Sequence, residues 1–350
     1  MKCFFCLIFI ACAISCFAQS ALPHWQQLAQ PDTIGSWILP AQGKAGAPLW
    51  GHKNGIILGI APTPGPRGLI RIFCPYLDLE MGNVMNFIAL EPVVKGDIER
   101  GYSELERSSL DNGKNGKRFW SANDSLAISP QDEEYPARGI ISKINGEEVL
   151  TFFVFSEPFD NGAKVYVRLR LFETRPYEFE ITTYTYDGSE ELDYFITTAT
   201  MGNKSRLRTL YLKDGQKKSL EMWPDYKDIH FTERTPILLK DMLRDKKGTM
   251  YFIAAPNEKD YTKATYHPTT ASHWRYYAKH ATQYWIKENP DKDLIGIVNG
   301  RYTYWASESP IPGGISFENF ELNEPFVEGY SYIFGISPET PDTLIEKIIK

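Results

Sequence analysis

The fold class this sequence predicts is all-β: a large antiparallel β-sandwich carrying one or two short helices. Three observations predict it. Short apolar or alternating runs recur between turn residues from about residue 50 to residue 335, the spacing of a sandwich or barrel. Aromatic residues make up 14% of the chain, with 20 Tyr, 20 Phe and 8 Trp, and such rings suit a pleated, half-buried surface. Apolar residues at helical spacing are confined to a few short stretches.

In chain order, the candidate strands are 55–60, 69–74, 84–91, 138–144, 148–155, 164–172, 177–184, 192–200, 249–254, 294–298, 302–305, 315–322 and 330–336. Asn145-Gly146, between two of these runs, accepts the positive φ angles of a two-residue hairpin turn. A second hairpin turns through Glu173-Thr174-Arg175. Centring it on Thr174 pairs Leu169 with Phe179, Val167 with Ile181 and Val165 with Thr183. The same register sets Arg170 opposite Glu178 and Arg168 opposite Glu180, cross-strand pairs worth roughly 0.2–1 kcal/mol each. The alternative use of these four side chains is the floor of a groove for a charged ligand. Helices are expected over 343–349, after the start signal Thr340-Pro341-Asp342, and over 236–244, where Leu238, Leu239 and Met242 make a partial stripe. A short helix or turn over 21–30 would tie down the start of the mature chain.

The first residues, MKCFFCLIFIACAISCFAQS, combine Lys2, an apolar run from Phe4 to Ile14 and a small-residue end, the pattern of a secretory signal peptide cleaved after Ala18. Residues 19–350 then form a single catalytic or glycan-binding domain, exported to the periplasm or beyond. Ala13-Ile14-Ser15-Cys16 is the lesser alternative, a lipoprotein cleavage site with Cys16 lipidated. No later run approaches the roughly 20 apolar residues of a membrane span. Of five cysteines only Cys74 lies beyond the leader, so the mature domain has no internal disulfide, and Cys74 reads as a small buried hydrophobe. A net charge of -6 without basic blocks disfavours nucleic acid as a partner.

Motif chemistry narrows the field further. Pro62-Thr63-Pro64-Gly65-Pro66-Arg67-Gly68 lacks a strand-to-helix context and a Lys followed by Ser or Thr, so no phosphate loop or dinucleotide fingerprint is supported. Arg67 at its end either receives a carboxylate or is an ordinary solvated or ion-paired side chain. His267, His273 and His280 are six and seven residues apart, which fits neither a helical zinc pair nor one strand face. No metal site or cofactor is assigned. Calcium stays an option in loops 111–113 and 289–293, although neither has EF-hand spacing. No G-x-S-x-G elbow is present. Glycoside cleavage needs two acids roughly 5–9.5 Å apart. Glu104 with Glu106, and Glu178 with Glu180, alternate on possible strands, whereas Glu318 and Glu321, three apart, would face opposite sides.

The densest candidate is YHPTTASHWRYYAKHATQYW, residues 266–285. On a strand Trp274, Tyr276, His280 and Tyr284 share a face; on a helix His273, Tyr277, His280 and Tyr284 do. Strand-like composition in 282–286 favours a strand over the second half. His280, Tyr284, His273 and Tyr276 are therefore the candidate catalytic groups, suited to proton abstraction beside a uronic-acid carboxylate that an arginine neutralises. Arg67, Arg71, Arg118, Trp120, Arg206, Trp274, Arg275 and Trp305 are the candidate substrate-binding groups, pairing cation with ring. The competing use of the whole strip is core and groove wall.

The stretches LIRIFCPYL, MNFIALEPVVKG, TATMGNKSRLRTLYL and GGISFENFELNEPF resemble those of secreted bacterial proteins associated with polysaccharide breakdown. That resemblance implies a galactose-mutarotase-like antiparallel sandwich and carries over no catalytic residue. The expected activity is a secreted carbohydrate-active enzyme on an acidic, uronic-acid-containing glycan, with β-elimination ahead of hydrolysis. The alternative is a glycan-binding protein without catalysis.

Overall fold

The computed structural model describes residues 30–43, 46–61, 66–79, 82–126, 135–256, 258 and 263–349. The leader with Cys16, residues 21–29 of the expected N-terminal turn and residues 62–65 of the Gly-Pro loop lie outside these. The strands in chain order are β1 (Asp32–Ile34), β2 (Trp37–Leu39), β3 (Leu49–His52), β4 (Ile57–Gly59), β5 (Leu69–Phe73), β6 (Val84–Val94), β7 (Phe119–Ala122), β8 (Ile140–Ile144), β9 (Glu147–Ser156), β10 (Val165–Phe172) and β11 (Arg175–Thr185). They continue with β12 (Leu192–Ala199), β13 (Thr209–Leu212), β14 (Gly215–Lys218), β15 (Thr235–Leu238), β16 (Leu243–Arg244), β17 (Met250–Ala255), β18 (Thr282–Lys287), β19 (Ile295–Arg301), β20 (Ser316–Asn323) and β21 (Ser331–Ser337). Two α-helices, α1 (Ser219–Met222) and α2 (Pro341–Ile349), and a few 3-10 turns join them.

The strands form two sheets in an all-β sandwich. One runs β1-β2-β3-β4-β5-β6-β12-β20-β19-β15; the other runs β14-β13-β17-β18-β21-β11-β10-β9-β7, with β16 on β17 and β8 on β9. Every described strand pairing is antiparallel. Alternate residues of each strand point between the sheets. Trp50, Ile70, Ile88, Val298 and Phe320 from the first sheet meet Phe152, Val167, Phe252, Trp285 and Phe334 from the second. Ring pairs bridge the layers, with Trp50 stacked 4.4 Å from Phe152 and Phe252 tilted 4.5 Å from Phe320. Each such side chain contributes about 1.5–3 kcal/mol by leaving water. The indole N–H groups of Trp50 and Trp285 donate to the carbonyls of Ala137 and Phe320, so no donor is stranded there. Cys74 is fully buried, and burial pushes its thiol up to about 12.

Each expected strand has a counterpart except 302–305, where Ala306 adopts φ 50 in a tight turn and only an isolated bridge joins Thr303 to Pro310. The Asn145-Gly146 turn forms with φ 52 and 91. The expected helix over 236–244 is instead strand β15, a 3-10 turn at Leu239–Asp241 and strand β16. Pro236 explains the difference: it cannot donate, and β15 is the edge strand, where a missing N–H costs least. The hairpin after β10 keeps its expected faces but shifts by two residues, pairing Leu169 with Ile181 and Arg170 with Glu180. Pro176 cannot extend the ladder, and its carbonyl instead accepts the N–H of Ile56, so the strand bulges. Arg168 and Arg170 then share Glu180, at 3.5 and 3.4 Å.

The 266–285 strip is mostly irregular. It holds a 3-10 turn at Ser272–Trp274, and the strand starts only at Thr282. Tyr276 and His280 therefore share no strand face with Tyr284.

Candidate functional site

The outer face of the ten-stranded sheet, turned away from the core, carries the most unusual chemistry. Glu91 on β6, Thr198 on β12 and Glu321 on β20 occupy outward positions, with Thr198 directly opposite Glu321. A register irregularity between Asn299 and Gly300 sets two residues of β20, Glu318 and Asn319, against one of β19. The bulge lets Phe317 and Phe320 both enter the core, so Glu318 and Glu321 share the outer face rather than facing opposite sides as expected.

A covering segment completes the site. Gly101 and Ser103 donate their N–H groups to the carbonyls of Pro92 and Leu90, extending the sheet past the start of β5. Gly68 makes this approach possible: it sits at φ 51, and a Cβ there would lie 1.9 Å from the Ser103 carbonyl oxygen. Further anchors are Lys117 with Glu106 at 3.1 Å and Arg67 with Asp111 at 2.5 Å. From this segment Arg100 Nη1 reaches Glu91 Oε2 at 2.5 Å and Glu321 Oε2 at 2.8 Å. Arg234 lies 3.8 Å from the other oxygen of Glu321 and donates to the Tyr102 hydroxyl at 3.4 Å.

Glu91, Glu104 and Glu321 thus stand against two guanidinium groups, and Arg234 is 41% exposed, so its charge is partly screened. A carboxyl is left over, and the site retains a proton. Burial first and the charge of Glu91 second hold both Glu104 and Glu321 well above the usual carboxylate range. Further along β20, burial alone pushes Glu318 up to about 8 despite the nearby Arg301 charge. Glu104 Oε2, Thr198 Oγ1, Glu318 Oε2, Glu321 Oε1 and Arg301 Nε are all buried without a hydrogen bond. Beside them, Phe231 and Trp305 are 40% and 43% exposed.

The expected site residues are spread over several places. Trp305 rims this face. Arg71 lies on it, with its guanidinium bonded to the carbonyls of Pro66 and Leu69 and lowered to about 10 by burial. Arg206, Tyr276, His280 and Trp274 gather at one end of the sandwich. There Arg206 donates to the Tyr266 hydroxyl at 2.8 Å and the Tyr276 carbonyl at 3.3 Å, and pairs with Glu258 at 3.3 Å. Arg208 joins Glu258, and Trp274 stacks on Tyr304 at 5.3 Å. Burial lowers the His280 imidazole, which stays neutral at pH 7.

The others lie apart. Tyr284 is under α2, donating to Glu178 at 3.0 Å. Trp120 is 4% exposed and stacked on Phe155 on the outer face of the other sheet. Arg118 offers its backbone N–H to Glu157 at 2.6 Å, Arg275 bonds the Thr270 carbonyl at 3.1 Å, and the His273 ring sits 5.1 Å from Trp274. Among the described residues no group of three His, Cys, Asp or Glu side chains is arranged to hold a metal ion, and no helix is long and apolar enough to cross a membrane.

Glu91, Arg100 and Arg234 were not anticipated. The signal was a glutamate interrupting the apolar run IALEPVV, since a carboxylate inside a central strand demands a partner elsewhere in the chain.

No protein-family model matches the chain. No curated protein matches it either. Among solved structures, the protein HI1317 is 11% identical, with 87% of this chain and 97% of that chain covered at a TM-score of 0.28. YeaD of Salmonella typhimurium, a provisionally assigned mutarotase, is 8% identical, with 89% and 97% covered at a TM-score of 0.28.

Proposed function

We propose that the protein is an exported carbohydrate-active enzyme that cleaves glycosidic bonds on the outer face of the ten-stranded sheet, with Glu104 as the proton donor. The observation that carries this reading is the row of buried polar atoms without partners, on Thr198, Glu104, Glu321, Glu318 and Arg301, along one sheet face. Buried polar atoms are normally satisfied, and a polyhydroxylated ligand is the class of molecule that can satisfy several donors and acceptors at once. Glu104, on the covering segment, is the least enclosed residue of the carboxyl cluster, with its Oε2 closed to solvent. Burial, and after it the negative field of Glu91, keeps its proton in place near neutral pH.

Both hydrolysis and elimination require a proton on the leaving oxygen, so Glu104 serves either. A second reading places β-elimination at His280, where a neutral imidazole lies near Glu258, Arg206 and tyrosine hydroxyls. The deciding experiment incubates wild type, Glu104→Gln and His280→Ala with a panel of plant, algal and animal polysaccharides, following reducing ends and ultraviolet-absorbing unsaturated ends. Glu104→Gln is expected to lose about 10²–10⁴-fold in rate with the fold intact. An unimpaired Glu104→Gln enzyme with an inactive His280→Ala would move the site to the second location. Absence of cleavage by wild type across the panel would leave a binding protein.

A further inference from the structure

We propose that Arg301 and Glu318, beneath the exposed rings of Phe231 and Trp305, form a subsite for a uronic acid residue whose ring stacks on Trp305 and whose carboxylate bridges the two polar side chains. The inference rests on reading this sheet face as a glycan cleft, and it names the substrate class.

The Arg301 guanidinium lies 4.8 Å from the Phe231 ring centre and 5.0 Å from that of Trp305. Its Nη2 donates to the Ile229 carbonyl at 2.8 Å, which fixes the fork. The segment bearing Phe231 is pinned by Thr232, which exchanges hydrogen bonds of 3.0 and 2.8 Å with Gly300. Arg301 is thereby held against two rings while its Nε–H finds no acceptor. Beside it Glu318 is 3% exposed, with Oε2 buried and unbonded. Arg301 and Glu318 act on each other electrostatically, yet no hydrogen bond or ion pair joins them among the described residues. A structural pair would close that gap, because a buried guanidinium and carboxyl gain most from direct contact.

The chemistry of the missing partner follows from charge. Burial keeps Glu318 neutral up to a pH of about 8, so Arg301 is an uncompensated cation at neutral pH. A carboxylate accepts from the Arg301 Nε–H and from the neutral Glu318 carboxyl together, and supplies the balancing charge. The exposed faces of Phe231 and Trp305, with ring centres 6.0 Å apart, give the sugar ring a surface to stack on. Glu318 is three residues from Glu321 on the same strand, which places the subsite next to the acid–base cluster. Among the described residues, the charged or titratable groups acting on this pair are Arg301 on β19, which faces Glu318, and Tyr226, which faces Arg301.

The test is calorimetric titration of the Glu104→Gln variant with tetrasaccharides from pectate, alginate and glucuronan, each beside its carboxyl-reduced form. At least one acidic tetrasaccharide is expected to bind, with affinity falling about tenfold or more on carboxyl reduction, on Trp305→Ala and on Arg301→Gln. Its affinity should also decline above pH 8 in Glu104→Gln and hold steady when Glu318→Gln is added. Equal binding of acidic and reduced sugars, an unaffected Trp305→Ala variant, or no binding by any acidic tetrasaccharide would overturn the proposal. Trp305 is half-exposed, so its variant keeps the test open if Arg301→Gln fails to fold. Binding without turnover in wild type would sink the catalytic reading alone, whereas turnover with binding insensitive to Trp305 and Arg301 would sink this one alone.

Discussion

Replacing Arg100 by Leu isolates what the carboxyl cluster costs the fold. Arg100 Nη1 bonds both Glu91 and Glu321, and without it Glu321 keeps only Arg234 at 3.8 Å. A buried carboxylate stripped of its partner costs about 3–5 kcal/mol if it stays charged. Protonation is the escape, and for a group with an ordinary value near 4.5 it costs about 1.4 kcal/mol per pH unit, or roughly 3–4 kcal/mol at pH 7. The two routes are comparable at pH 7, so the variant should lose about 3–5 kcal/mol there. At pH 5 protonation costs only about 1 kcal/mol, and most of the loss should vanish. The sign follows from linkage: losing Arg100 raises Glu321 further than burial already does, so the folded variant binds more protons than folded wild type and the stability gap widens as pH rises through that window. Urea unfolding of wild type and Arg100→Leu at pH 5, 7 and 8 measures the slope. Glu91→Gln and Glu321→Gln, added to Arg100→Leu, should flatten it. A loss equal at pH 5 and pH 8 would refute the charge argument and leave Arg100 as a packing residue.

Three more outcomes are expected. Glu318, raised to about 8, destabilises the folded state increasingly from about pH 5 to 8, so Glu318→Gln should be more stable than wild type at pH 8 by about 2–4 kcal/mol and equal to it near pH 4.5, read by thermal unfolding across pH. Gly68→Ala meets the Ser103 carbonyl in a left-handed backbone, so it should lower Tm and reduce glycan cleavage together as the segment bearing Glu104 shifts; an unchanged Tm would count against the packing described. Tyr284→Phe leaves Glu178 without its hydroxyl donor and should cost about 1–3 kcal/mol in chemical denaturation with cleavage unchanged, whereas lost cleavage would return Tyr284 to the catalytic groups.

Strands were legible because the period of two survives in any local window, as in β9 and β10, and because Asn-Gly specifies its own turn. Register was less so: Pro176 shifted β11 by giving its carbonyl to Ile56, a residue more than a hundred positions away that no local pattern reveals. The site was hidden for the same reason. Glu91, Arg100 and Glu104 come from one stretch, but Arg234 and Glu321 are more than a hundred positions away and join them only through the order β6-β12-β20-β19-β15. The 266–285 strip drew attention through its density of histidines and rings, yet density is a local property. The structure disperses the strip, with Tyr284 under α2 and His280 at the sandwich end.

Two buried glutamates, one just past β9 in one sheet and one on β20 in the other, show what the proposed ligand would supply. Glu157 is 1% exposed and accepts the N–H groups of Ser109, Leu110 and Arg118 and the Ser109 hydroxyl, all at 2.6–2.8 Å. Those donors outweigh its burial and hold its carboxyl below the usual range, so at neutral pH its charge helps hold the covering segment in place. Glu318 is enclosed more deeply and receives no such donors, so burial wins and the carboxyl is raised. A fold that can satisfy Glu157 so fully could have satisfied Glu318 by the same means. Leaving it open beside an open Arg301, under two exposed rings, costs stability that packing does not return. On the proposed reading, a bound sugar recovers that cost.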